Sequence, residues 1–369
     1  MKIARIDVHQ VDLPYPGTYR LSGGRVYESF DATIVRVATD TGVEGWGEST
    51  PFGPDYIAAH ALGVRAGIAE LAPSILGKDP LAHDRLNDAM DAALKGHAHA
   101  KAPIDVACWD IAGKAQGRPV CDLLGGRVEG RAPVISSIGG DAPEPMRAAV
   151  ARHRAKGFRA HSLKIGADDP VLDAERIRAC LADRQPGEWI QADANGGMTA
   201  EQALRLVALI PPATDIVLEA PCATWAETLR LRARCPFPIM LDELAQTDAD
   251  IIDAIRQDAC DGIGLKVSKQ GGLTAMRRQR DICNAAGLVA SVQDTWGSII
   301  SFAAVLHAAQ ATPRRMLRAA LDVRPLVGVT TAAIDAPILN GGVAAPFAPG
   351  LGVTPDLDVL GPPVASYGG

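Results

Sequence analysis

Apolar and polar side chains alternate along residues 2–13 and again along 32–38 (ATIVRVA), just before the turn Asp40-Thr41-Gly42. A period of two predicts half-buried strands. The Gly- and Pro-rich stretches Pro14–Gly24 and Gly47–Pro54 are expected to interrupt them. Helical apolar spacing follows over 57–75, 80–95 and 99–115, and Gly117-Arg118-Pro119 is a helix stop. Strands first and helices after predict an α+β segment over residues 1–126.

Beyond it the pattern changes. Short β-prone runs recur at 132–138, 160–166, 189–194, 215–220, 238–243, 261–267, 287–294 and 315–322, with helix-like stretches such as DPVLDAERIRACLADR between them. Strands alternating with helices at a period of roughly 25 residues indicate βαβ units and a parallel sheet. Eight such strands fit a closed barrel, and no GxGxxG turn supports the open, doubly wound alternative. The expected architecture is a (β/α)7β TIM-type barrel over 130–328. The α+β segment would cap it, and residues 329–369 would return to the cap.

Composition narrows the function classes. The chain has 369 residues, 47% of them hydrophobic, and a net charge of -6, and no run of Lys and Arg exceeds two. A nucleic-acid partner is therefore not expected, because binding phosphates takes clustered cations. No apolar stretch has the length of a membrane span, and Lys2, Arg5 and Asp7 break any signal-like apolar start. Seven cysteines without a CxxC pair argue against a disulfide framework or zinc knuckle. A cytoplasmic protein is expected.

The carboxyl ends of the barrel strands, where barrel enzymes place their chemistry, carry Lys164, Asp193 with Asn195, Glu219, Asp242 with Glu243, Lys266, Asp294 and Asp322. One such Asp is more often a helix N-cap than a ligand. Asp193, Glu219 and Asp242, however, are 26 and 23 residues apart, one βα unit each. Three converging carboxylates repel and raise one another's pKa, and a hard divalent cation relieves this. An oxygen-only donor set selects Mg2+, or Mn2+, over zinc. Lys164 and Lys266 flank the triad from the strands before and after it. A nearby cation and burial would lower a lysine's pKa toward that of a working base. For either lysine alone, a salt bridge is the ordinary reading.

With these residues in place, the sequence resembles the enolase superfamily, and more narrowly its muconate-lactonizing subgroup. The resemblance rests on the order Lys164, Asp193, Glu219, Asp242, Lys266, on Gly271-Gly272 after Lys266, on AKAPIDVACWDIAGKAQGRPVCDLLGG (100–126) and on APGLGVTPD (348–356). It spans the whole chain. It implies abstraction of a proton α to a carboxylate by Lys164 or Lys266, with Mg2+ held by Asp193, Glu219 and Asp242. The chain departs from the subgroup at Ser162-Leu163-Lys164, where Lys-x-Lys is usual, and Ser162 thus leaves the tuning of Lys164 open. Gln293-Asp294 in place of a histidine disfavours the mandelate racemase branch.

The segments PFGPDYIAAH (51–60), GHAHAKAPIDVACWD (96–110), HSLKIG (161–166) and QDTWG (293–297) are similar to subgroup members acting on proline derivatives. The resemblance therefore implies an amino-acid-like carboxylate substrate. Dehydration of cis-3-hydroxy-L-proline to 1-pyrroline-2-carboxylate is the first expectation, and 2-epimerisation of proline betaine or a related N-modified amino acid is the alternative. Cap loops around 16–29 and 48–56 should close over the barrel mouth. Tyr56 and Trp296 are candidates for an aromatic wall, and Asn195 and Asp294 for substrate contacts. Asp322 would hold a secondary ammonium unless it pairs with Arg324 or Arg318, and Glu243 would stand behind Asp242. A homo-oligomer is expected. A Schiff-base aldolase using either lysine and a non-catalytic barrel remain as other classes, and the carboxylate triad argues against both.

Overall fold

The computed structural model describes residues 1–369. The first strands, β1 (Ile3–Arg20), β2 (Val26–Thr39) and β3 (Glu44–Ser49), pair antiparallel in that order. Within the Pro- and Gly-rich stretch at 14–24 the strand continues to Arg20, and Ser22–Gly24 then turn the chain into β2. β1 and β2 form a long hairpin arm that re-pairs at Tyr19↔Tyr27 and Arg20↔Val26, past an irregularity between Pro14 and Tyr19. Prolines are tolerated there because the irregularity needs no ladder N–H from them.

Helices α1 (Ala61–Ile75), α2 (His83–Ala93) and α3 (Ala98–Gln116) complete the cap, followed by the single turn α4 (Val120–Leu123). α3 is buried from His99 to Gly113, so it is the central element of the cap. It lies against β3 because Gly45 and Gly47 have no Cβ. A methyl carbon there would stand 2.0 Å from the backbone oxygens of Ala107 and Pro103.

The barrel strands are β4 (Ala132–Ile138), β5 (Ala160–Lys164), β6 (Trp189–Asp193), β7 (Ile216–Glu219), β8 (Ile239–Leu241), β9 (Gly262–Lys266), β10 (Val289–Gln293) and β11 (Leu317–Leu321). All are parallel, and Ala320↔Val134 and Leu321↔Ile135 close the ring. Between them run α5 (Pro143–Ala155), α6 (Pro170–Leu181), α7 (Ala200–Leu209), α8 (Trp225–Arg232), α9 (Asp248–Arg256), α10 (Val267–Gln270) with α11 (Leu273–Ala286), and α12 (Ile299–Gln310). This is the (β/α)7β barrel. Thr199, Thr224 and Thr247 start α7, α8 and α9 by accepting a hydrogen bond from a first-turn N–H. The loops after β6, β7 and β8 are thereby short and fixed, which pins the residues at those strand ends.

The tail contains β12 (Ala332–Ile334), β13 (Gly342–Val343), β14 (Val353–Pro355), α13 (Leu357–Leu360) and β15 (Ala365–Gly368). It first lies on the barrel, where β13 pairs with the start of β4 and Ala336, Val343, Ala345 and Leu351 join the barrel core. Its last strand then adds to β1 in the cap sheet. No helix is long and apolar enough to cross a membrane, and all seven cysteines are free.

Candidate active site

Strand register brings the charged residues together. Lys164 is paired with Asp193 across β5 and β6, and Asp193 with Glu219 across β6 and β7. Asp242 lies one residue beyond β8, and Lys266 ends β9. Parallel strands in register present these side chains at one level, the carboxyl mouth of the barrel. Asp193, Glu219, Asp242 and Lys266 are each at most 5% exposed.

The ammonium groups are the immediate partners of two carboxylates. Lys164 Nζ donates to Asp193 Oδ2, and Lys266 Nζ is paired with Asp242 Oδ2. Lys269, on α10, donates to Asp242 Oδ1 at 2.7 Å, to its backbone oxygen at 2.6 Å and to Gly264 O at 3.0 Å. Tyr56, from the cap, donates its hydroxyl to Asp242 Oδ2 at 3.1 Å and accepts from Lys266 Nζ at 2.7 Å. Asn195 has φ 44 and turns back on Asp193. Its backbone N–H reaches Oδ1 at 2.9 Å, and its Nδ2 reaches Asp193 Oδ2 at 3.1 Å and Glu243 Oε1 at 3.0 Å.

The electrostatics follow from burial and crowding. Burial and then the charges of Asp193 and Asp242 push the Glu219 carboxyl well above its ordinary range. Burial also acts on Asp242, but Lys266 and Lys269 outweigh it and hold that carboxyl low. The expected downward shift of the two flanking lysines needs a cation beside them, and the protein's own groups do not produce it. Burial does disfavour their charge, but the carboxylates beside them dominate, so both Lys164 and Lys266 lie above the usual lysine value. Only Lys269 is lowered, because burial wins there over Asp242.

Asp193, Glu219 and Asp242 sit on consecutive strands, but no three His, Cys, Asp or Glu side chains surround a common point. The carboxylates are instead turned toward ammonium and amide groups. The site nevertheless fits a hard cation. Four acidic side chains, Asp193, Glu219, Asp242 and Glu243, face three ammonium groups, Lys164, Lys266 and Lys269. Glu243 Oε2 is buried with no partner, and every donor is oxygen, as Mg2+ requires.

Two expected substrate contacts, Asp294, which lines the cavity beside Lys164 and Lys266, and Asp322, are held by protein partners. Asp294 spends its carboxylate on Ser268 N–H and Oγ, Thr295 N–H and Ser301 Oγ, at 2.7–3.0 Å, and so anchors α10 and α12. Asp322 accepts from Arg324 Nε at 2.9 Å, Nη2 at 2.7 Å and backbone N–H at 3.1 Å, which is the Arg324 pair expected as its alternative to a substrate ammonium. Ser162 is buried on β5, in register with Ser137 and Gln191, and makes no hydrogen bond to Lys164.

Tyr56 and Trp296 do share one wall, with Phe52 between them at centroid distances of 5.6 and 5.2 Å. Trp296 also stacks on Phe30 at 4.3 Å, so cap and barrel share this aromatic cluster. A cavity of about 20 Å³ lies among Tyr19, Phe52, Tyr56, Lys164, Lys266 and Trp296. A larger cavity, about 1040 Å³, lies beside this site between α1–α3 and the loops after β8 and β9, and only Lys269 of the charged group lines it. Lys269 and Gln191 join the site without having been expected there, and Gln293, Tyr19 and Phe52 take part by contacts that the sequence did not assign to them. Lys269 had a signal, one helical turn after Lys266. Gln191 had a weaker one, a polar residue on the same strand face as Asp193.

Two family models match the chain. The model for the N-terminal domain of mandelate racemase / muconate lactonizing enzyme matches residues 20–125, and the enolase C-terminal domain-like model matches 145–359. The cis-3-hydroxy-L-proline dehydratase of Roseibium aggregatum is 42% identical over 368 residues, covering 100% of both chains. The N-succinyl-L-Arg/Lys racemase of Bacillus cereus is 27% identical over 84% of each chain. Among solved structures, a mandelate racemase/muconate lactonizing enzyme homologue from Roseovarius nubinhibens, in complex with magnesium, is 64% identical. It superposes with a TM-score of 0.98 over 100% of both chains. A homologue from Aspergillus oryzae is 58% identical, with a TM-score of 0.93 over 99% of each chain.

Proposed function

Because the chain belongs to the mandelate racemase/muconate lactonizing enzyme family of the enolase superfamily, we propose that it dehydrates cis-3-hydroxy-L-proline to 1-pyrroline-2-carboxylate. The observation that carries this reading is the pair Lys164 and Lys266. They end β5 and β9, with β6, β7 and β8 between them, so they approach the barrel mouth from opposite sides. The full-length similarity to a dehydratase of that substrate supports the choice among α-proton chemistries.

The stereochemistry suits two opposed lysines. In the cis isomer, hydroxyl and carboxylate share one ring face, and the α-proton lies on the other. One lysine, kept neutral by the charge of the cation that the carboxylates would hold beside it, takes the α-proton, and the opposite one, as ammonium, gives a proton to the departing hydroxyl, which leaves as water. The electron pair of the C–H bond becomes the ring double bond, and the resulting enamine tautomerises to the cyclic imine. Each lysine thus acts at its own face, which is the condition for general acid–base catalysis.

Asp193, Glu219 and Asp242 would hold Mg2+, which supplies positive charge against the charge that builds on the substrate carboxylate as the α-proton leaves. Asn195 holds Asp193 against Glu243, and Lys269 holds Asp242, so two of the three acidic groups are oriented by this chain's own donors. Phe52, Tyr56 and Trp296 offer an apolar wall for the pyrroline ring and exclude water from it.

The test is proton NMR in D2O with cis-3-hydroxy-L-proline, its trans isomer and proline betaine. We expect loss of the 3-hydroxyl carbon's proton pattern and growth of imine product from the cis isomer alone. Inversion or α-deuteration of proline betaine, with cis-3-hydroxy-L-proline untouched, would make the protein an epimerase instead.

A further inference from the structure

Among the three acidic groups at the strand ends, Glu219 alone has no ammonium in contact. Asp193 is paired with Lys164, and Asp242 with Lys266 and Lys269. Glu219 is 1% exposed, so no solvent compensates it. Its partners are two side-chain amides, one from each side. Gln191, two residues before Asp193 on β6, donates its Nε2–H to Glu219 Oε2. Gln293, the last residue of β10, donates its Nε2–H to Glu219 Oε1 at 2.8 Å.

The second contact is a long reach. β10 is separated from β7 by β8 and β9, so the Gln293 amide must cross the barrel interior in front of β9. Gly264, in the middle of β9, keeps that crossing free of a side chain. A Cβ there would stand 3.2 Å from Glu219 Oε1, 3.4 Å from Asp242 Cβ and 3.4 Å from Gln293 Nε2. Gly264 has no positive φ, so its backbone does not call for glycine, whereas a Cβ there would press on Glu219 Oε1 and touch Gln293 Nε2.

We propose that Gln191 and Gln293 are positioning residues that clamp the two oxygens of Glu219 and present it as the middle ligand of the divalent ion, with Gly264 keeping the path for Gln293 open. An amide suits this role better than a lysine. It satisfies one lone pair on each oxygen, leaves another free for an ion, and does not cancel the charge the ion binds. Gln293 is itself steadied by Ser291 Oγ, which accepts from the same Nε2 at 3.1 Å. The role rests on the Mg2+ reading given under Proposed function.

The experiment is calorimetric titration of the full chain with Mg2+, and separately Mn2+, for the wild type, Gln293→Met, Gln191→Met and Gly264→Ala. Urea unfolding of each metal-free protein is measured in parallel. Methionine keeps the length and volume of glutamine without a donor. Gly264→Ala keeps both amides and adds one methyl, so it carries the test should a methionine variant not fold. The expected result is metal affinity weaker by about 10- to 100-fold in Gln293→Met and Gly264→Ala, as for other groups that orient metal ligands. A purely structural role would move the metal-free unfolding midpoint and leave the affinity in place. Affinities within about twofold of wild type in the folded variants therefore overturn the proposal. If the wild type takes up neither Mg2+ nor Mn2+, the metal reading itself fails and this role falls with it.

Discussion

Lys164 and Lys266 are chemically alike but differently surrounded. Lys164 meets Asp193 alone, whereas Lys266 shares Asp242 with Lys269 and touches the Tyr56 hydroxyl. Their replacement should accordingly be asymmetric. Removing the lysine that faces the α-proton should abolish deuterium exchange and turnover together, by at least ~10²-fold for an acid–base group. Removing the opposite one should impair water loss more than exchange. Solvent deuterium incorporation by Lys164→Ala and Lys266→Ala, measured beside product formation, distinguishes them, and full turnover in either variant would refute the two-face assignment. At this scale the charged core of the site was legible, because a Lys, Asp or Glu closing a buried strand contradicts the apolar pattern around it. The amides were not, since Gln191 and Gln293 look like any polar residue at a strand's edge. The Ser268 partner of Asp294 is set by how the following loop turns, which no spacing rule reports, whereas the Arg324 pair of Asp322 was one of its two expected outcomes.

At the scale of elements, the eight barrel strands were legible as β-prone runs between helical stretches, because a two-residue period and a 3.6-residue period are hard to confuse over a full βα unit. The hairpin arm was not. Pro14, Pro16 and Gly17 read as a break, whereas the backbone absorbs them in one irregularity and pairs again at Tyr19. That matters for the site, because the arm is what brings Tyr19 to the cavity beside Lys164. A second unannounced junction joins cap to barrel. Glu48, on β3, accepts from Ser298 N–H at 2.7 Å, Ser298 Oγ at 2.5 Å and Ser301 N–H at 3.1 Å, and so closes the start of α12 from another domain. Burial raises its pKa against these donors, yet a helix N-terminus favours a carboxylate. Glu48→Ala would leave two buried N–H groups without an acceptor, at about 1–3 kcal/mol each. We expect a loss of roughly 3 kcal/mol in urea unfolding, with Glu48→Gln, which retains an acceptor, losing less. A change below about 0.5 kcal/mol in Glu48→Ala would show that α12 does not depend on the cap.

For the molecule as a whole, the tail is the binding strap. It lines the barrel core with Leu351, and its last strand enters the cap sheet. His307 is where three parts meet. On α12 within the barrel, its Nδ1 accepts from Cys121 N–H at 3.2 Å beside the cap, and its Nε2–H donates to Leu351 O in the tail at 3.1 Å. That pair of contacts requires the neutral ring, and burial pushes its pKa down to about 4. The unfolded chain takes up the proton near pH 6.5 and the folded one does not until about 4. Within that window the unfolded state binds more protons, so stability rises with pH and is lost as pH falls. The slope for one such group is at most about 1.4 kcal/mol per pH unit. His161 and His153 are pushed down to about 4 and His99 to about 3, also by burial first, and they act in the same direction. Asp294, pushed up to about 6 by burial, acts in the opposite direction, so the wild-type profile alone is ambiguous. The comparison is therefore between wild type and His307→Gln. The glutamine can accept from Cys121 and donate to Leu351 but has no proton to gain. Urea unfolding at pH 7 and pH 4.5 should show wild type losing stability relative to the variant on acidification, by about 2 kcal/mol over that range for a single depressed histidine. Parallel pH profiles would mean that His307 is protonated in the folded chain and that one of its two contacts does not hold.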